Sequence, residues 1–241
     1  DPAGGWLCAP TGVFGLPEEF RLESRPAGLH VGDVWYRTTL RGGARIEPCI
    51  TVWSAAAREG LSCRVRIYEP GAAKPVLEKV LALGALPAGE SRHRLALPAE
   101  ALKRWAILQP NLYFGQTAVT DASGAELDRS DPVRFGLREI WTQGRKLYLN
   151  DRPVYPVPAF GREPRDLNPL LAVGVTIVQR GFPATFNFAN EDFRGLAAAC
   201  DERGMLLVAS GLTHHELNLA DPDLYQDFQV WAERYYGRHA N

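Results

Sequence analysis

The rhythm of apolar residues changes once, near Asn150, and that change does most to limit what the chain can fold into. Upstream, the segments Val31–Leu40, Arg45–Trp53, Ser62–Glu69, Val76–Leu83, Arg92–Leu97, Leu112–Thr120 and Val133–Arg138 read as strands between Gly, Pro and Asp turn signals. Ser62-Cys-Arg-Val-Arg-Ile-Tyr68 alternates most cleanly, with Cys63, Val65 and Ile67 on one face and arginines on the other. Asp121-Ala-Ser-Gly124 and Gly42-Gly43 supply turns. About seven short strands in roughly 110 residues predict an immunoglobulin-like β-sandwich.

Downstream the order becomes strand, helix, strand, helix. Val154–Phe160 is a short apolar run broken by prolines, and Asn168-Pro169 predicts an N-cap and first turn for a helix over Leu170–Val173. Val175–Gln179 is β-branched and apolar, as a buried parallel strand should be. Glu191–Arg203 places Phe193, Leu196, Ala197 and Cys200 on one helical face, with Gly204 as its left-handed stop. Met205–Ala209 predicts another strand. From Asp221-Pro222 a last helix carries Leu224, Phe228, Trp231 and Tyr235 on one side. Such alternation predicts a parallel sheet with crossovers. A closed barrel needs eight strands and about 250 residues, so this part is either a small three-layer arrangement or the opening of a barrel.

The 241 residues are 46% hydrophobic and 23% charged, enough to build real cores. A formal charge of -1 gives no field that would draw nucleic acid or an anionic membrane. No run approaches the 18 or so apolar residues of a membrane span. Cys8, Cys49, Cys63 and Cys200 lack zinc-site spacing. Cys49 is out of phase with Ile50 and Val52 while Cys63 is in phase with Val65, so the two face opposite sides and predict buried free thiols.

Several stretches, taken in order, resemble the family 2 glycoside hydrolases, which include β-galactosidases, β-glucuronidases and β-mannosidases. Gly12-Val-Phe-Gly15 looks like the close of their N-terminal jelly roll. Trp105-Ala-Ile-Leu-Gln-Pro-Asn-Leu-Tyr113 is similar to their Trp-Ser-Pro-x-x-Pro-Asn-Leu-Tyr segment, and Arg134-Phe-Gly-Leu-Arg-Glu139 to the Phe-Gly-Phe-Arg-Glu end of their sandwich. Lys146-Leu-Tyr-Leu-Asn-Asp-Arg-Pro153 resembles the hairpin that enters their barrel. Gly174 to Pro183 resembles the second strand of that barrel, and Cys200-Asp-Glu-Arg-Gly-Met-Leu-Leu-Val208 its second helix and third strand. The resemblance implies a jelly-roll remnant over 1–27, an immunoglobulin-like sandwich over 28–140 and a partial (β/α)8 barrel over 141–241.

The activity implied is retaining hydrolysis of terminal β-glycosides, with carbohydrate as substrate, no cofactor or metal, and a sandwich offering homo-oligomer contacts. That chemistry uses two glutamates about 5–5.5 Å apart. The family places them after the fourth and seventh barrel strands, which puts both beyond Asn241, so this chain by itself is expected to be silent. No catalytic residue is therefore assigned within it, and neither one sugar nor a compartment is specified.

Pocket positions differ too. The family's Arg-Gly-x-Asn-x-His after the first strand aligns with Val157, Pro158, Phe160 and Arg162. Its second-strand Arg aligns with Gln179, followed by Arg180, and its third-strand acid with Ser210. Loss of hydroxyl-binding groups removes discrimination. It leaves two readings, a changed substrate or a carbohydrate-binding or interaction protein that no longer hydrolyses; a purely structural sandwich used as a spacer is a further alternative for the chain. Candidate sugar contacts are Arg162, Glu163, Gln179, Arg180, His214 and His215. For Arg162, Glu163 and Arg180 a salt-linked surface is the competing reading. His214-His215-Glu216 reads first as a solvated loop, and a metal there would want a third ligand. Phe182, Phe186 and Phe188 serve either sugar stacking or loop packing.

Overall fold

The computed structural model describes residues 24–155, 157–161, 163–180 and 191–209. Among these, the first part of the chain forms nine strands. They are β1 (Leu29–Thr39), β2 (Arg45–Ser54), β3 (Arg58–Tyr68), β4 (Leu77–Leu86), β5 (Gly89–Arg94), β6 (Leu97–Pro98), β7 (Leu112–Thr120), β8 (Glu126–Arg129) and β9 (Val133–Gly136). One sheet runs β1-β2-β5 with β6 also on β2; the other runs β4-β3-β7-β8 with β9 also on β7. The chain changes sheet after β2, after β4 and after β6, so the two sheets interlock as in an immunoglobulin-like sandwich.

Alternation along the strands fills the space between the sheets. Ile46, Ile50 and Val52 from one and Cys63, Val65, Ile67 and Val119 from the other are almost fully buried. Burial of each large aliphatic chain stabilises the sandwich by about 1.5–3 kcal/mol. Tyr36 lies across the core, its hydroxyl 2.8 Å from Thr117 Oγ1 and its ring stacked on Phe135. It fits because position 115 is glycine: a Cβ there would come within 2.3 Å of the Tyr36 ring. At the start of β7, the Tyr113 hydroxyl accepts a 2.8 Å bond from the Lys103 backbone N–H, a tyrosine corner that pins the preceding loop.

Cys49, Cys63 and Cys200 are buried free thiols. Cys63 belongs to the core, whereas Cys49 lines the outer face of the first sheet. Cys8, Gly12–Gly15 and the helix expected from Asp221 lie outside the described residues. Several local readings need correction. Arg92–Leu97 splits into β5 and β6 around Leu95-Ala96, and β8 follows the Asp121 turn, where alternation is too short to register. The helix expected at Leu170 starts earlier, at Leu167, because Pro164 opens a 3-10 turn that feeds it. Asn168 is consequently inside the helix, where its Oδ1 accepts from Arg203 Nε at 2.9 Å.

After the sandwich comes a three-stranded antiparallel ribbon, β10 (Ile140–Gln143), β11 (Lys146–Leu149) and β12 (Arg152–Val154). Its turn at Asn150-Asp151 has φ of 50° and 67°, the left-handed pair that a tight hairpin requires. Then β13 (Pro158–Phe160), β14 (Ile177–Arg180) and β15 (Leu206–Ala209) pair in parallel, joined through α1 (Leu167–Ala172) and α2 (Glu191–Arg203). The expected run Val154–Phe160 is thus two elements, the end of the ribbon and the first parallel strand. Both crossovers pack on the same side: Leu167, Leu196, Ala199 and Cys200 meet Val178, Ala159 and Leu207.

Candidate functional site

In parallel sheets of this kind ligands gather where strands end, so the C-terminal edge of β13, β14 and β15 is the place to look. Register sets Phe160 opposite Gln179 and Gln179 opposite Val208, so the three form one row. Their side chains alternate away from Ala159, Val178 and Leu207, which face the helices. The helix-free face is therefore divided along its length. Its lower part, Ile177 and Leu206, is covered by Trp105, Leu149, Ile107, Leu112 and Val154. Its upper part is open: Phe160 is 75% exposed and Val208 44%.

Gln179 stands between those two apolar residues, partly exposed, with an amide able to donate and accept. Gly161 follows the row closely. Its N–H donates to Gln179 O at 3.2 Å, and a Cβ there would meet Val178 Cγ1 at 2.8 Å. Glu163 is engaged locally instead. Its carboxylate is 2.8 Å from Arg165 Nε, and its backbone N–H donates to Asp166 Oδ2 at 3.0 Å at the start of the 3-10 turn. Arg180 pairs with Ala209 through the backbone. Arg162, Ser210, His214, His215 and the Phe182, Phe186 and Phe188 cluster lie outside the described residues. Among the described residues no three His, Cys, Asp or Glu side chains come together as a metal site.

Most of the stretches that carry the family resemblance converge elsewhere, on the joint between sandwich and parallel sheet. Trp105 is fully buried and donates from Nε1 to Asp201 O at 2.9 Å. Its backbone N–H donates to Leu137 O, and its carbonyl accepts from Asn150 Nδ2 at 2.6 Å. Asn150 Oδ1 accepts from Glu139 N–H at 3.1 Å. Arg138 Nη2 donates to Asp201 Oδ1 at 3.3 Å, and Arg134 Nη1 to Glu202 Oε1 at 2.6 Å. Leu108, held at a φ of 60°, donates its N–H to Gly204 O. These motif residues fix how the two parts meet.

Burial governs the charges at this joint. It draws the Arg138 guanidinium down to about 10, against the pull of Asp201, so Arg138 is still a cation at neutral pH. Burial also raises the Asp201 carboxyl, opposed by Arg138 and Arg134. On the sandwich side, burial would raise Glu139. The backbone N–H groups of Leu40 and Arg41 and the Arg41 guanidinium, 2.8 Å from Glu139 Oε1, outweigh it and hold the carboxyl below its usual range.

Sequence reasoning missed one concavity, on the outer face of β1, β2 and β5 beside Trp35 and Cys49. The signal available was the break in alternation at Gly32-Asp33, where β1 bulges.

No family model matches the sequence, and no curated protein matches it. Solved structures do. A β-D-mannosidase from Dictyoglomus thermophilum superposes with a TM-score of 0.63 at 20% identity, over 88% of this chain and 28% of that one. A family 2 β-galacturonidase from Eisenbergiella tayi, bound to galacturonate, gives 0.58 at 20% identity, over 88% of this chain and 38% of its own. A β-glucuronidase from Ruminococcus gnavus in complex with D-glucaro-d-lactam gives 0.54 at 20% identity, over 88% and 35%. The chain thus spans well under half the length of the enzymes it matches. At such identities the likeness is one of fold, and the chain has the fold of a segment of the family 2 glycoside hydrolases.

Proposed function

We propose that this chain is the sandwich and opening β/α units of a β-glycosidase of the family 2 type, with carbohydrate bound at the C-terminal ends of β13, β14 and β15. Residues 1–27 are read as the end of a preceding jelly roll, 28–140 as the sandwich and 141–241 as the start of a (β/α)8 barrel. The observation that carries the reading is the divided helix-free face. Its lower part is plugged by the ribbon and Trp105, while Phe160, Gln179 and Val208 form an uncovered row above. Further strands would turn that row inward, as barrel strands do.

In such a site Phe160 offers a ring to the apolar face of a pyranose, and the Gln179 amide offers one donor and one acceptor to its hydroxyls. Arg162, Arg180, His214 and His215 are proposed as further sugar contacts, with Glu163 beside them. Cleavage itself needs one carboxylic acid to protonate the leaving oxygen and one carboxylate to attack the anomeric carbon. Those two groups are proposed to lie in other parts of a longer protein of which this chain is a segment, and the reaction calls for no metal or redox group.

The test uses aryl β-glycosides of glucose, galactose, mannose and the uronic acids. A longer protein containing this segment should hydrolyse at least one, with the β-anomer as first product by NMR, while the 241-residue chain turns over none. Turnover by the short chain overturns the assignment of the carboxylates. Retention of glycan binding by an inactive long protein would favour the second reading, a non-catalytic carbohydrate-binding protein. That reading draws support from apolar Val157 and Phe160 at positions where the family resemblance expects polar groups.

A further inference from the structure

The outer face of the first sheet holds a concavity of about 500 Å³ that the glycosidase reading leaves without a role. Its shape follows from the register. At the β1 bulge Gly32 and Asp33 lie opposite Thr51, which pairs with Arg92; the next row outward is Trp35, Cys49 and Arg94. The row on the other side is His30, Trp53 and Glu90, with the imidazole stacked on the indole at 5.2 Å. Two indoles thus stand about four residues apart along the sheet, or roughly 14 Å. Between them the surface drops to glycine, threonine and a buried thiol. Gly32 has no side chain to fill it, and burial keeps the Cys49 thiol protonated at neutral pH.

The charges around this floor balance. Asp33 and Glu90 stand against Arg92 and Arg94, and Glu90 lies 3.4 Å from Arg92. His93 also lines the concavity, with its Nε2 2.9 Å from Ser91 Oγ, and burial lowers its imidazole below the usual range. A phosphate site would carry net positive charge, and an apolar peptide groove would carry an aliphatic floor. An indole wall beside a small polar floor, rimmed by planar guanidinium and carboxylate groups of both signs, suits a neutral, hydroxyl-rich ligand with one apolar face.

We propose that this trough is a second carbohydrate subsite, one that binds a neutral β-linked oligosaccharide away from the strand-end site. The choice of sugar over other polyols rests on the glycosidase reading above. Such a subsite would hold the chain against a polymeric substrate while its end is processed.

The experiment is titration of the 15N-labelled chain with neutral gluco-, manno- and galacto-trisaccharides, β-linked, followed through the Trp35 indole and Gln179 signals. At least one trisaccharide should shift Trp35 with a dissociation constant in about the millimolar range, as expected for a shallow, solvent-open site. Trp35→Ala should weaken it at least about tenfold. Thr51→Trp, which fills the floor from the solvent side, should do the same without lowering the unfolding temperature. Shifts at Gln179 with none at Trp35 overturn this subsite and leave the strand-end reading standing. Shifts at Trp35 alone support the subsite and count against the strand-end one. Uronate trisaccharides binding about tenfold more tightly than neutral ones would overturn the assignment of ligand charge.

Discussion

The guanidinium carbon of Arg138 sits 4.1 Å from the centre of the Trp105 indole, in a position where Arg138 is 3% exposed and Trp105 not at all. Two of the Arg138 nitrogens, Nε and Nη1, have no hydrogen-bond partner among the described residues. The ring face and the Asp201 carboxylate are what compensate the buried charge. The pair ties the last residues of the sandwich to the end of α2 through one cation.

Removing that cation should leave Asp201 buried with a weakened set of partners. Arg138→Leu is expected to cost about 3 kcal/mol. Denaturant unfolding would register it, with the loss of amide protection concentrated at the joint, around Leu196–Leu206. The double variant Arg138→Leu, Asp201→Leu should recover part of the loss, because no unpaired charge then remains.

Position 115 should reject any side chain. Gly115→Ala drives a methyl group against the Tyr36 ring and should destabilise the sandwich by about 1–3 kcal/mol or more. Tyr36→Phe, which removes only the bond to Thr117, should cost about 1 kcal/mol. Equal losses for the two would show that the core relaxes around position 115.

Tyr113→Phe leaves the packing intact and deletes one acceptor for the Lys103 N–H. Its cost should be about 1 kcal/mol in thermal unfolding, with faster amide exchange at Lys103. Unchanged exchange there would mean that the corner does not hold the loop.

Acid should act through Glu139. Its folded-state pKa is depressed below 4.5, so its contribution is complete above that pH and is lost as pH falls through the folded value. Glu139→Gln should therefore flatten the acid limb of stability while leaving the slope between pH 6 and about 8 unchanged. An acid limb identical to that of the parent would assign the loss to other carboxylates.

Much of this fold was legible from side-chain period. Six of the seven runs mark single strands of the sandwich and Arg92–Leu97 overlaps two, while Glu191–Arg203 was bounded by its own stop glycine. What failed was local. Glu126–Arg129 is a four-residue strand whose exposed neighbours leave no alternation to read, and α1 takes its start from Pro164 rather than Asn168. The site was less legible. Gln179 was marked from an aligned position, yet its row with Phe160 and Val208 depends on register across three strands, which no local pattern carries. Glu163 looked available for sugar because its pairing with Arg165 depends on a 3-10 turn that the residues alone do not announce. The Trp35 trough was hidden for the opposite reason. Its residues come from three strands, and only the bulge at Gly32-Asp33 left a trace in the sequence.

The proposal most exposed to test is that the row at Phe160 becomes an inner wall once further strands complete a barrel. Phe160→Cys, with Cys8 replaced by serine and the three buried thiols left in place, gives a single reactive handle on that row. Rapid thiol labelling is expected at position 160 in the 241-residue chain, and strong protection in a longer protein that completes the barrel. Equal labelling in both would contradict the claim.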